Sequence, residues 1–363
     1  MKRTLITLVL VALTAPVYAQ IGGIGGALKK AQASKQVFDD MNITEAEERQ
    51  IGDDVSAKIR DRFGVVQDPA IHKYVALIGT ALAKQSDRPG LDWTFVVLDT
   101  DGVNAFASPG GLVHITRGAL ALAKNEAEVA AVLGHEIGHV AHKHTVNALK
   151  KGKAVQAGSN AAGGGRSGFL SEFANRAYSM VLENNFDRGD ELDADKVGVQ
   201  LGQKAGYNAS ALGDFLARID ERNKDATEKN GMFADHPQTK ERIDKIKQMA
   251  GGANAAVLVE PRFKQNVKYP PIDITKIATV AEGASGLTGS TKEGPKEEPK
   301  KKGFGIGGLK QTVAPEKQSA QVSASGGARG LGADRAAKGG PVKALVKVNV
   351  SAAEVDTFKK GIV

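Results

Sequence analysis

Cysteine is absent from this 363-residue chain, and aromatic residues make up only 5% of it. Without cysteine there is no disulfide, no thiolate metal site and no lipid-carrying cysteine behind a signal. Any metal must therefore be held by nitrogen and oxygen donors. Long apolar runs are also missing beyond the N-terminus, because Lys124, Glu126 and Glu128 interrupt the next best candidate. A membrane-spanning helix needs about 20 apolar residues, so none is expected downstream. The net charge of +8 would suit anionic partners. However, the chain has no basic motif interleaved with aromatics, so nucleic acid is not an expected partner. Much of the basic excess lies towards the C-terminus, where peripheral membrane contact is the electrostatic expectation.

Residues 1–19 have the layout of a secretory signal. Lys2 and Arg3 precede the short apolar stretch Leu5 to Ala15, and "VYA" offers small-residue cleavage after Ala19. Export to the periplasm is the expectation, with secretion as the alternative. Residues 20–40 form a glycine-rich lead-in, and 41–275 carry the patterned sequence of a folded domain. Apolar spacing predicts helices near 44–60, 69–84, 170–184, 189–205, 208–223 and 237–250. Between them, "WTFVVLD" and "VNAFASPGGLVHITRG" read as strands, with Pro109-Gly110-Gly111 turning a hairpin. The glycine-rich stretch 150–168 is expected to be a mobile loop and a candidate lid. Residues 285–342 have the Gly/Lys/Ala-rich composition of a disordered tail. The segment 343–363 suggests a short strand and turn, and truncation after about residue 290 is expected to leave stability unchanged. The fold class expected is α+β, mostly helical with a small antiparallel sheet.

The stretch "LGHEIGHVAHKH" (133–144) holds four of the chain's seven histidines. Asn125 and Glu128 are an N-cap pair for a helix expected to run to about Leu149. At about 100° per residue, Leu133, Ile137 and Val140 form a core stripe, and His135 and His139 share the face beside it. Both imidazoles can then reach one ion, with Glu136 between ligands and core. This is the HExxH arrangement of two zinc ligands and a general base. On a straight helix His142 lies about 10 Å along the axis from His135, and His144 points nearly opposite the site. These two extra histidines are therefore expected to be outer-sphere groups or simply exposed.

A catalytic zinc takes a third protein ligand and keeps one position for water. In "FDRGDELDADKVGVQLG" (186–202), Glu191 and Asp195 lie one helical turn apart. Glu191 would be the ligand and Asp195 the partner of a ligand histidine's other ring nitrogen. Asp187, Asp190 and Asp193 compete for the ligand role. The carboxylates would also suit the positive end of a helix without any metal. His236 precedes Pro237 at a helix start, where histidine is a poor cap, so it reads either as an ordinary helix boundary or as a functional group.

"NAFASPGG", "HEIGH", "ELDAD" and "DHP" followed by Arg242 occur in one order. In that order they resemble the HtpX-like and CAAX-prenyl-protease-like zinc metallopeptidases, peptidase family M48, and most of all its soluble periplasmic branch. The resemblance covers about residues 40–250. It implies a gluzincin-type domain with one Zn2+ held by His135, His139 and Glu191. It also implies Glu136 as base, Asp195 behind a ligand, and His236 with Arg242 stabilising the oxyanion, or His236 at the open metal position. Asn104, Ala105 and Phe106 would form the strand bordering the substrate cleft. The resemblance does not extend to the transmembrane helices of the integral branch, nor to a helical-repeat domain after residue 250. The substrates it implies are unfolded or misassembled proteins bound by main-chain pairing at an edge strand. A metal-binding chaperone or assembly scaffold with little hydrolysis is the rival expectation.

Overall fold

The computed structural model describes residues 42–100, 102–151, 165–183, 186–223, 239–251, 257–270 and 342–362. The signal-like start, most of the expected lid at 150–168, His236 and the expected tail fall outside these residues. The chain divides after Thr44 into two units, of which the second runs from Glu45 onward.

Two helices open this second unit, α1 (Glu45–Phe63) and α2 (Pro69–Ala83). Asp68 caps α2 by accepting from the Ala70 amide, with Pro69 at the first helical position. Strands β1 (Thr94–Leu98), β2 (Ala105–Ser108) and β3 (Leu112–Thr116) come next and form one sheet in the order β1-β3-β2. The Pro-Gly-Gly hairpin is present. Gly110 sits at φ 72°, and a β-carbon there would lie 2.6 Å from Arg49 Cα, so glycine is required. β2 and β3 are antiparallel, pairing Ala105 with Ile115 and Ser108 with Leu112.

The sheet is nevertheless mixed rather than wholly antiparallel, because β1 runs parallel to β3 with Thr94 opposite Leu112 and Leu98 opposite Thr116. The hairpin fixes only the β2–β3 direction. β1 then fills the far side of β3, where its apolar residues bury equally well in either direction. Nearly every strand residue is buried, so helices and loops cover both faces.

The short helix α3 (Arg117–Leu122) leads to α4 (Glu126–Ala141), in which every residue is buried. Asn125 caps α4 as expected, its side chain accepting from the Glu128 amide. At the other end α4 stops at Ala141, eight residues before Leu149. Lys143 takes a left-handed conformation (φ 57°), and the chain restarts as α5 (His144–Lys151). Five further helices complete the body: α6 (Gly165–Glu183), α7 (Arg188–Ala205), α8 (Ala211–Asn223), α9 (Thr239–Ala250) and α10 (Glu260–Asn266). α7 packs along α4 in the most extensive helix–helix contact of the fold.

Glu126, at the first position of α4, ties several of these elements together. It is fully buried and accepts from Tyr74 of α2 at 2.9 Å, from Tyr207 beyond α7 at 2.7 Å and from Arg262 of α10 at 2.7 Å. A buried carboxylate is tolerable only when its lone pairs are occupied in this way.

The C-terminal segment departs from expectation. Instead of a strand and turn, residues 352–360 form α11 (Ala352–Lys360), opened by a capping box between Ser351 and Glu354. Val342 accepts from the Val65 amide at 2.7 Å, Lys73 pairs with Glu354 at 2.8 Å, and Phe358 and Ile362 enter the core. Arg262 lies 3.7 Å over the Phe358 ring and donates to the Phe358 carbonyl at 2.8 Å. This last stretch is thus part of the packed body, and removing it cannot be neutral.

Candidate metal centre

The centre forms where α4 and α7 cross. His135 and His139 lie one turn apart on α4, and Glu191 reaches them from the first turn of α7. Their donor atoms converge. His135 Nε2 is 3.1 Å from His139 Nε2 and 3.7 Å from one oxygen of Glu191, and His139 Nε2 is 3.5 Å from the other. All three residues are about 1% exposed, so little water competes for these donors. One nitrogen from each histidine and one oxygen of Glu191 all lie within 4.8 Å of one another, so the three residues could hold a single cation.

Asp187 is not a rival to Glu191: it caps α7, accepting from the Asp190 amide at 2.9 Å. Asp190 and Asp193 face His144 rather than the convergence point. Asp195 stands behind the ligands as expected, its Oδ1 3.0 Å from Nδ1 of His135. A proton on Nδ1 would face Asp195 and leave Nε2 turned towards His139 and Glu191.

Arg242 of α9 lies beside the candidate ligands. Its Nε and Nη2 donate to the two oxygens of Asp195 at 2.8 and 2.7 Å, and Nη1 reaches Glu191 at 2.9 Å. The guanidinium is about 1% exposed and braces two carboxylates from behind. Burial works against its charge, yet Asp195, Glu191 and Glu136 together hold its pKa above the ordinary arginine value. Burial likewise opposes ionisation of Asp195, but Arg242 and the His135 hydrogen bond keep that carboxyl well below the usual range. Asp195 is therefore an anion at every pH where the centre works.

Glu136 is buried on α4 beside the ligands. A small cavity at His139 is lined by Ala107, Ser108 and Pro109, so the end of β2 and the hairpin turn border the centre. Asn104, Ala105 and Phe106 lie further along. Asn104 ties its backbone to Thr116 at 3.0 Å, and Ala105 and Phe106 are buried in the sheet, with α6 packed against β2.

The break after Ala141 overturns the expected orientation of His144. Restarting the helix at residue 144 brings its imidazole to the ligand side, with Nδ1 3.0 Å from Nδ1 of His139. His142 turns outward between Asp193 and Asp87, whose charges raise its pKa against a partial burial that would lower it. No glycine or proline marks this break in the sequence, and a helical wheel drawn through residue 149 hides it.

A glutamate between two histidines on one helix, completed by a carboxylate from a second helix, defines a metallopeptidase centre. Comparison with known proteins agrees. The sequence model of peptidase family M48 matches residues 69–250, half of the chain, and the protein belongs to that family. Beta-barrel assembly-enhancing protease of Yersinia pestis is 25% identical over 219 residues, 56% of this chain and 44% of that one. Mitochondrial metalloendopeptidase OMA1 of Schizosaccharomyces pombe is 27% identical over 221 residues, 60% of this chain and 64% of its own length. Metalloprotease LoiP of Escherichia coli is 28% identical over 224 residues, covering 58% and 84%. This chain spans less than half the length of the beta-barrel assembly-enhancing proteases it matches. Among the described residues no helix is long and apolar enough to cross a membrane.

Proposed function

We propose that this protein is a zinc metalloendopeptidase of the periplasm that degrades unfolded or misassembled proteins. The convergence of His135, His139 and Glu191 carries this reading. Two imidazole nitrogens and one carboxylate oxygen are the donor set of a catalytic zinc. One donor atom from each of the three residues lies within 4.8 Å of the other two, close enough for a single cation to be held among them. Bound zinc supplies Lewis acidity, acidifying water and polarising a carbonyl.

Glu136 takes the proton of the attacking water and passes it to the departing amine. Asp195 holds His135 in its ligating tautomer, and Arg242 holds both Asp195 and Glu191. The resemblance assigns the oxyanion to His236 with Arg242; His236 lies outside the described residues, and with Arg242 bonded to Asp195 and Glu191 it would carry more of that role. The signal-like residues 1–19 support export, and the names of the bacterial relatives support a role in envelope protein quality control. Main-chain pairing along β2 suits substrates of varied sequence.

The test is Glu136→Gln, which keeps the shape of the side chain but not its basicity. Cleavage of an unfolded model protein should fall by about 10²-fold or more, since general-base catalysis is worth about 10²–10⁴. Bound zinc should remain. An unchanged rate would defeat the mechanism. If neither form cleaves but both suppress aggregation, the protein is a metal-binding chaperone.

A further inference from the structure

We propose that His144, backed by Asp193, is the positioning partner of the ligand His139, completing for the second histidine what Asp195 does for the first. This inference rests on His139 being a metal ligand through Nε2. The Nε2 atom faces Glu191 and His135, which leaves Nδ1 to carry the proton. That Nδ1 lies 3.0 Å from Nδ1 of His144, so His144 must accept there. A neutral imidazole that accepts at Nδ1 is protonated at Nε2, and His144 Nε2 is 3.2 Å from Asp193 Oδ2. The chain of donors therefore has one consistent direction, from His139 to His144 to Asp193. His144 is about 5% exposed. The Phe186 ring closes the pocket, 4.3 Å from the His139 ring centre.

The same tautomer logic settles what the cluster His142, His144 and Asp193 does. Its donor atoms are close enough together to hold a second cation. A metal on His144 Nε2 would, however, force the proton onto Nδ1, where it would meet the Nδ1 proton of His139. The cluster thus serves the first site and is not a second one.

The backbone around residue 143 is built for this placement. Left-handed conformation is unfavourable for lysine, and such residues persist where their surroundings hold them. Lys143 Nζ pairs at 3.0 Å with Glu48, itself about 1% exposed. Arg88 bonds both to Glu48 at 2.7 Å and to the last carbonyls of α4 through Val140 at 3.3 Å. Glu48 and Arg88 therefore stop α4 where a continued helix would carry His144 to the opposite side.

The experiment compares zinc affinity, by competition with a chromophoric chelator, and the visible spectrum of the cobalt-loaded protein across four variants. His144→Phe keeps a ring of similar size but offers no acceptor, and His144→Gln restores one. Asp193→Asn removes the terminal charge, and His142→Ala disturbs the same cluster outside the proposed chain. Affinity should fall about 10–100-fold in His144→Phe, with a shifted cobalt spectrum. It should recover in part in His144→Gln, fall less in Asp193→Asn and stay within about threefold in His142→Ala. Wild-type affinity in His144→Phe would overturn the inference. So would an equal loss in His142→Ala, or two tight ions in the wild type with one lost on substituting His144. If the wild-type protein binds no zinc, the metallopeptidase reading itself fails; if it binds zinc and His144→Phe matches it, only this inference fails.

Discussion

Asp195 holds His135 from behind, Oδ1 to Nδ1 at 3.0 Å, while Arg242 grips both oxygens of the same carboxylate. This relationship makes Arg242 a support of the proposed metal site. Arg242→Lys cannot reproduce a two-pronged grip with a third bond to Glu191, so it is not a conservative change. We predict a loss of zinc affinity of about 10–100-fold, together with lower stability, measured by chelator competition and urea unfolding. A direct oxyanion donor would behave differently, lowering kcat while leaving zinc affinity intact.

The docked C-terminus makes a second prediction. Phe358 lies between the body and the guanidinium of Arg262, and Val355 and Ile362 are buried beside it. Truncating a buried phenylalanine to alanine costs about 3–5 kcal/mol. Phe358→Ala should lower the stability of the full chain by about 3 kcal/mol in urea unfolding. An unchanged midpoint would mean that α11 does not dock in solution.

A third prediction concerns acid. His114 is fully buried, and burial pushes its pKa down to about 3. Its Nδ1 is 3.4 Å from the Phe106 carbonyl and its Nε2 is 2.9 Å from Ser56 Oγ, which can donate to the neutral ring. In the unfolded chain the group titrates near 6.5. The folded value is lower, so this contribution is complete above about pH 6.5 and is lost as pH falls towards 3. His114→Gln should be less stable than wild type at pH 7, and the gap should narrow by about 2 kcal/mol by pH 4.5. Parallel pH profiles for the two proteins would assign the acid sensitivity elsewhere.

These cases show how much the sequence disclosed. The helical spacing of His135, Glu136 and His139 is legible because it depends on one regular helix, whereas helix spacing left Glu191 competing with the neighbouring aspartates and only the family resemblance chose it. The family resemblance singled out Arg242 as a residue near the metal, but its bonds to Asp195 and Glu191 could not be read from the sequence. Its role depends on where α9 packs, which local pattern does not encode. His144 was misplaced because the stop after Ala141 comes from Glu48 and Arg88, about 50 to 95 residues away in sequence, and not from a local breaker. The direction of β1 was hidden for a similar reason, since a buried strand looks alike in either orientation. The helix α11 was missed, although Ser351 and Glu354 form a capping-box pair that could have signalled it.

The last prediction tests the crossing of the two helices that carry the ligands. Gly134 and Gly138 on α4 face Gly198 and Ala194 on α7, so the helices touch backbone to backbone. A β-carbon at Gly198 would lie 2.9 Å from the amide nitrogen of His135. Neither atom belongs to a flexible side chain, so the conflict can be relieved only by moving a helix. α7 carries Glu191 and Asp195, and α4 carries His135, so a shift of a few tenths of an ångström separates ligand from ligand. Gly198 has ordinary helical geometry, and alanine favours a helix over glycine by about 1 kcal/mol. Helix propensity alone would therefore make Gly198→Ala more stable. The crossing reverses that expectation: overpacking of this kind costs about 1–3 kcal/mol, and zinc affinity should fall along with stability. Calorimetry of the metal-free and zinc-loaded variant separates the two effects. A Gly198→Ala protein that melts higher and binds zinc as wild type would show that the crossing has room to spare and does not set the spacing of the ligands.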